Sequence, residues 1–79
     1  MKAALTSYTG QMAQVHGRSG VRVNAVAPGF IETPILSSIP AKVMDQMRID
    51  VPLRRLGQPE EVANVYAFLA SDEASYING

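Results

Sequence analysis

Between residues 1 and 17 the apolar side chains Leu5, Tyr8, Met12 and Val15 recur at steps of three and four, the spacing of one helix face. Ala3, Ala4 and Ala13 support a helix from Met1 to about Gly17, while Gly10 costs it about 1 kcal/mol relative to alanine. His16 and Arg18 fall in its last turn, where cations suit the helix dipole, and Gly17 or Gly20 supplies the left-handed C-terminal cap. The period then changes. Val21, Val23, Ala25 and Ala27 alternate with Arg22, Asn24 and Val26, which predicts a strand over residues 21–27. Pro28 cannot extend a central strand and Gly29 allows a tight turn, so the strand delivers a loop over residues 30–38 that includes a short helical turn.

Pro40 fits the first position of a helix that runs to about Ile49 and buries Val43, Met44 and Met47, and Pro52 ends it. Residues 53–58 form a connection. Pro59 followed by Glu60 and Glu61 is a helix start by both geometry and dipole, and Val62, Val65, Tyr66 and Leu69 mark an apolar face through about Ala70. The closing SDEASYING is turn-rich. A lone strand among helices has two unpaired edges and is not a stable structure, so its sheet partners are expected outside these residues. Helix, strand, helix, helix is the order found in the middle or at the end of an α/β protein built on a parallel sheet.

Composition narrows the function classes. With 79 residues the core is marginal without a metal, disulfides or a partner, and the absence of cysteine excludes disulfides and thiolate metal sites. Seven basic and seven acidic residues cancel, with no Lys/Arg block, so neither nucleic acid nor a membrane surface is expected as a partner. No apolar run approaches the roughly 18 residues of a spanning helix, and Thr6, Ser7, Thr9, Gly10 and Gln11 interrupt any secretory signal.

Candidate chemistry sits where the predicted strand ends, because ligands of open parallel sheets bind just beyond the carboxyl ends of the strands. There Pro28 and Gly29 make a backbone turn, with free amides around Ile31 and a hydroxyl on Thr33. Such neutral donors and acceptors suit a carboxamide or a phosphate oxygen. On these residues alone, a plain turn and a ligand-facing loop both remain open.

Three stretches then occur in order: VRVNAVAPGFIETP, Pro52-x-x-Arg55-x-Gly57-x-Pro59-Glu60-Glu61-Val62-Ala63, and FLASDEASYING. Together they closely resemble the C-terminal part of short-chain dehydrogenases/reductases, nearest to the 3-oxoacyl-acyl-carrier-protein reductase type, over residues 2–79. The resemblance implies an α/β fold: the C-terminal portion of a doubly wound Rossmann domain that lacks the N-terminal βαβ half and the last strand. Residues 1–79 would then be a partial domain of that family. It further implies hydride transfer between NAD(P), NADP slightly favoured, and a small-molecule carbonyl or secondary alcohol, of the 3-oxoacyl thioester type. A cytoplasmic location and a parent protein that is a homodimer or homotetramer go with it.

In that family the catalytic signature is Tyr-x-x-x-Lys, and its lysine corresponds to Lys2. Residues four apart share a helix face, so the ammonium stands near the phenol and favours phenolate, which makes the tyrosine an acid/base near neutrality. The tyrosine would precede Met1, and the catalytic serine and the glycine-rich phosphate loop would lie further upstream. Tyr8, Tyr66 and Tyr76 have no lysine four residues later and cannot replace it. By the same resemblance Lys2 also bonds the nicotinamide ribose, and Pro28, Gly29, Ile31 and Thr33 contact the nicotinamide end. The Ile31 amide and the Thr33 hydroxyl would meet the carboxamide. Residues 34–50 would cover the substrate, with Met44 and Met47 serving either as an adaptable apolar wall or in plain helix packing. Asn24 is expected to be a structural hydrogen-bonding residue, His16 a surface or capping residue, and Arg54 and Arg55 to pair with acids such as Glu60.

Overall fold

The computed structural model describes residues 2–79. Its elements are helix α1 (Lys2–Gly17), a 3-10 helix (Pro34–Ser38), helix α2 (Ala41–Asp50), helix α3 (Pro59–Ala70) and a second 3-10 helix (Asp72–Ala74). They divide into two units, one made of Met1–Ala27 with Val65–Gly79 and the other of Pro28–Asn64.

In the first unit α1 ends as its glycines predict, with Gly20 taking the left-handed cap at φ 79°. The Val21 amide then closes the turn on the His16 carbonyl at 3.2 Å. Burial on α1 differs from expectation. Thr9 and Ala13 are buried, whereas Leu5, Tyr8 and Val15 are 59%, 58% and 61% exposed. Thr9 tolerates burial because its hydroxyl donates to the Leu5 carbonyl at 2.8 Å, which satisfies it within the helix. The small face of α1, not its large apolar face, receives the tail: the Asn78 amide donates to the Ala13 carbonyl at 3.0 Å, and Ala74 is fully buried.

The tail also meets residues 21–24, largely through side chains. The Arg22 guanidinium donates to the carbonyls of Ile77 (3.3 Å) and Ser71 (3.2 Å), and the Asn24 amide donates to Ile77 at 2.9 Å. The Val23 amide donates to Asn78 Oδ1 at 3.0 Å, and the Val23 carbonyl accepts from the Gly79 amide at 2.9 Å. Asn24 therefore has the structural hydrogen-bonding role expected of it.

The strand expected over residues 21–27 does not form, and no strand occurs among the described residues. A strand is defined by its ladder. Among the described residues no backbone forms a ladder with the segment: the Val23 carbonyl meets the Gly79 amide and the Val23 amide meets the Asn78 side chain. The α/β expectation is thus met in its helices and corrected in its strand.

In the second unit Pro40 stands at the N-cap of α2, one residue outside the helix it was expected to begin. Met44 and Met47 are half-buried, while Val43, expected inside, is 48% exposed. The connection after α2 contains Arg54 in the left-handed region at φ 61°, its guanidinium donating to the Ile49 carbonyl. Leu56, only 4% exposed, anchors the connection just before α3.

Candidate functional site

Residues 28–33, in the second unit, have neither helix nor strand apart from one parallel bridge between Ile31 and Gly57. In that bridge the Gly57 amide donates to the Phe30 carbonyl at 2.9 Å and the Glu32 amide donates to the Gly57 carbonyl at 2.8 Å. A parallel bridge uses the groups that flank its central residue, so the Ile31 amide and carbonyl point away from Gly57. Among the described residues neither group has a hydrogen-bond partner.

Thr33 follows in extended conformation (φ −132°, ψ 161°) as the N-cap of the 3-10 helix Pro34–Ser38. A threonine there ordinarily uses its hydroxyl to cap, but this one makes no side-chain cap bond. Its carbonyl carries the turn instead, accepting from the Leu36 amide at 3.0 Å. Pro28 and Gly29 are exposed, and a Cβ added at Gly29 would meet nothing within 4 Å. The turn therefore presents a free amide, a free carbonyl and an uncommitted hydroxyl beside open space. That donor set fits a neutral carboxamide.

The start of α3 is fixed by charge. Arg55 and Glu61 form a bidentate pair, with Nη1–Oε1 at 2.7 Å and Nη2–Oε2 at 2.9 Å. Glu61 Oε1 also accepts from the Gln58 amide at 3.0 Å, which closes a capping contact three residues back. The hydrogen bonds from Arg55, then that from Gln58, hold the Glu61 carboxyl down to about 2, and the same partner raises the Arg55 guanidinium. Arg55 thus pairs with Glu61 rather than Glu60. The spacing of Gln58 and Glu61 around Pro59 carried that signal in the sequence. The Gln58 side chain in turn donates to Glu32 at 2.8 Å, tying the helix start to the loop. A concave surface of about 350 Å³ beside it is lined by Gly29, Phe30, Ile31, Val51, Leu53 and Arg55.

Lys2 is the first residue of α1 and is exposed; among the described residues its ammonium makes no hydrogen bond or ion pair. His16 is an exposed last-turn residue, as expected. Among the described residues no group of three metal-ligating side chains occurs, and no helix is long and apolar enough to cross a membrane.

A sequence family described as Enoyl-(Acyl carrier protein) reductase matches residues 1–79. The 3-oxoacyl-(acyl-carrier-protein) reductase of Thermotoga maritima is 49% identical over 78 residues, which is 99% of this chain and 32% of that protein. Human (3R)-3-hydroxyacyl-CoA dehydrogenase is 46% identical over 78 residues, 99% of this chain and 30% of its own length. A crystal structure of 3-oxoacyl-(acyl-carrier protein) reductase from Brucella melitensis superposes with a TM-score of 0.93 at 39% identity, covering 98% of this chain and 29% of that one. The chain belongs to the short-chain dehydrogenase/reductase family, an oxidoreductase family, and its structural neighbour is a Rossmann-fold member. It spans about a third of the length of these relatives.

Proposed function

We propose that these 79 residues are the C-terminal, nicotinamide-side portion of an NAD(P)-dependent oxidoreductase acting on a carbonyl or secondary alcohol. The observation that carries it is the Ile31 bridge, which leaves one amide and one carbonyl free beside the uncommitted Thr33 hydroxyl. In this reading Ile31 and Thr33 hold the carboxamide, and Pro28 and Gly29 give the ring a flat, open approach. Bound NAD(P) supplies or accepts the hydride.

Lys2 acts electrostatically. Its ammonium lowers the pKa of a tyrosine four residues earlier, outside these residues, and bonds the nicotinamide ribose. The catalytic serine, the phosphate loop and the last strand also lie outside. Residues 34–50 cover the substrate, with the half-buried Met44 and Met47 on its apolar wall. The substrate is a 3-oxoacyl thioester, in keeping with the names of the Thermotoga and Brucella relatives. The complete protein is a cytoplasmic homodimer or homotetramer.

Sequencing the DNA ahead of codon 1 tests this. An in-frame tyrosine four residues before Lys2, a serine upstream of it and a glycine-rich loop nearer the start are expected; a reading frame without them sinks the proposal. The purified 79-residue chain is expected not to oxidise NADPH with an acetoacetyl thioester, and turnover above a Lys2→Ala control contradicts that.

A second reading is a non-catalytic polypeptide that only associates with a full-length related subunit. The exposed Leu5, Tyr8 and Val15 of α1 favour it. Failure of the chain to co-purify with a co-expressed related enzyme removes that alternative.

A further inference from the structure

We infer that Gly57 is a positioning residue for the Ile31 amide, with Gln58 and Glu32 as a second tie. This rests on the nicotinamide-side reading above and names what aims that site. Gly57 does not have a positive φ, so backbone conformation does not demand glycine here. The demand is proximity. A Cβ at Gly57 would stand 2.7 Å from Ile31 Cδ1, so the tip of that side chain has to move, and 3.6 Å from the Phe30 carbonyl oxygen, an ordinary contact. With glycine there the Ile31 side chain lies directly over the bridge, whose two bonds close at 2.8 and 2.9 Å.

Those bonds decide which way the loop faces. They occupy the Phe30 carbonyl and the Glu32 amide, and so turn the Ile31 amide and carbonyl to the opposite edge. The Gln58 side chain adds a bond to Glu32 at 2.8 Å on the bridged side. Gln58 is itself fixed, because its amide donates to Glu61, which Arg55 grips through two bonds. The start of α3 therefore acts as a jig against which residues 30–32 are set. None of these side chains has to touch the ligand.

The test uses the ¹⁵N-labelled 79-residue chain with Gly57→Ala, Ile31→Val and the double variant. Gly57→Ala is expected to shift the Ile31 amide resonance and to raise exchange of the Gly57 amide about tenfold. Ile31→Val removes the methyl that the new Cβ would strike, so the double variant should regain the parent exchange rate, a rescue that general loss of stability would not give. Nicotinamide mononucleotide at millimolar concentration should move the Ile31 amide in the parent and the double variant but not in Gly57→Ala. An Ile31 amide unmoved by Gly57→Ala, or a parent Gly57 amide that exchanges at the unprotected rate, overturns the inference. An intact bridge with normal rescue but no response to the mononucleotide sinks the nicotinamide reading instead.

Discussion

The two units hold neighbouring pieces of backbone by opposite means. In the second, Phe30 and Glu32 are fixed by reciprocal backbone bonds to Gly57, supported by a capped helix start. In the first, residues 22–24 carry an alternating strand pattern yet meet the tail mostly through the side chains of Arg22, Asn24 and Asn78. A turn held by reciprocal backbone bonds thus keeps its geometry with no sheet beside it, whereas a segment with only a strand pattern does not become a strand without a ladder partner.

Substitutions at the two sites should sharpen this contrast, beginning with the largest effect. Gly57→Val forces branched carbons against Ile31 and the Phe30 carbonyl and should destabilise the second unit by about 1–3 kcal/mol. Amide exchange should show the loss at Glu32 and Gly57 with Val23 and Gly79 unaffected; equal loss in both units would show that they are not held independently. Asn78→Ala deletes two bonds, to the Val23 amide and the Ala13 carbonyl, at a cost of about 1–2 kcal/mol. Exchange at Val23 and Gly79 should then accelerate while Gly57 stays protected.

Acid probes the helix start. The Glu61 carboxyl is depressed from 4.5 to about 2 in the folded chain, so the unfolded chain binds its proton first as pH falls. The stabilisation is complete above the unfolded value near 4.5 and is lost progressively as pH drops through about 2. Glu61→Gln should flatten that dependence in an acid unfolding series; an unchanged series would remove the ion pair from the jig. The smallest effect is expected for Arg54→Gly. Relief of the left-handed backbone, about 1 kcal/mol, is offset by loss of the exposed guanidinium bond to Ile49, leaving the urea midpoint nearly unchanged.

The helices were legible because their signals are local. Pro59 with Glu60 and Glu61 marks the start of α3, and steps of three and four trace α1. The burial pattern was only half legible. Leu5, Tyr8 and Val15 form a face suited to burial, but no part of the described chain covers it, and Thr9 and Ala13 go inside because the tail needs a small surface. The strand pattern of residues 21–27 likewise describes the surroundings the segment suits rather than the pairing it makes here. At the candidate site the motif pointed to Pro28, Gly29, Ile31 and Thr33, but not to the bridge between Ile31 and Gly57, which joins residues 26 positions apart and which no local spacing encodes.

That separation has a kinetic counterpart. The Gln58–Glu32 bond closes a loop of 26 residues, while the bonds from Val23 to Asn78 and from Arg22 to Ile77 each close one of 55. Doubling a loop adds only about 0.6 kcal/mol of closure entropy, yet contacts nearer in sequence still form sooner. The turn at residues 28–33 should thus be shaped early in folding, before the tail finds its partners.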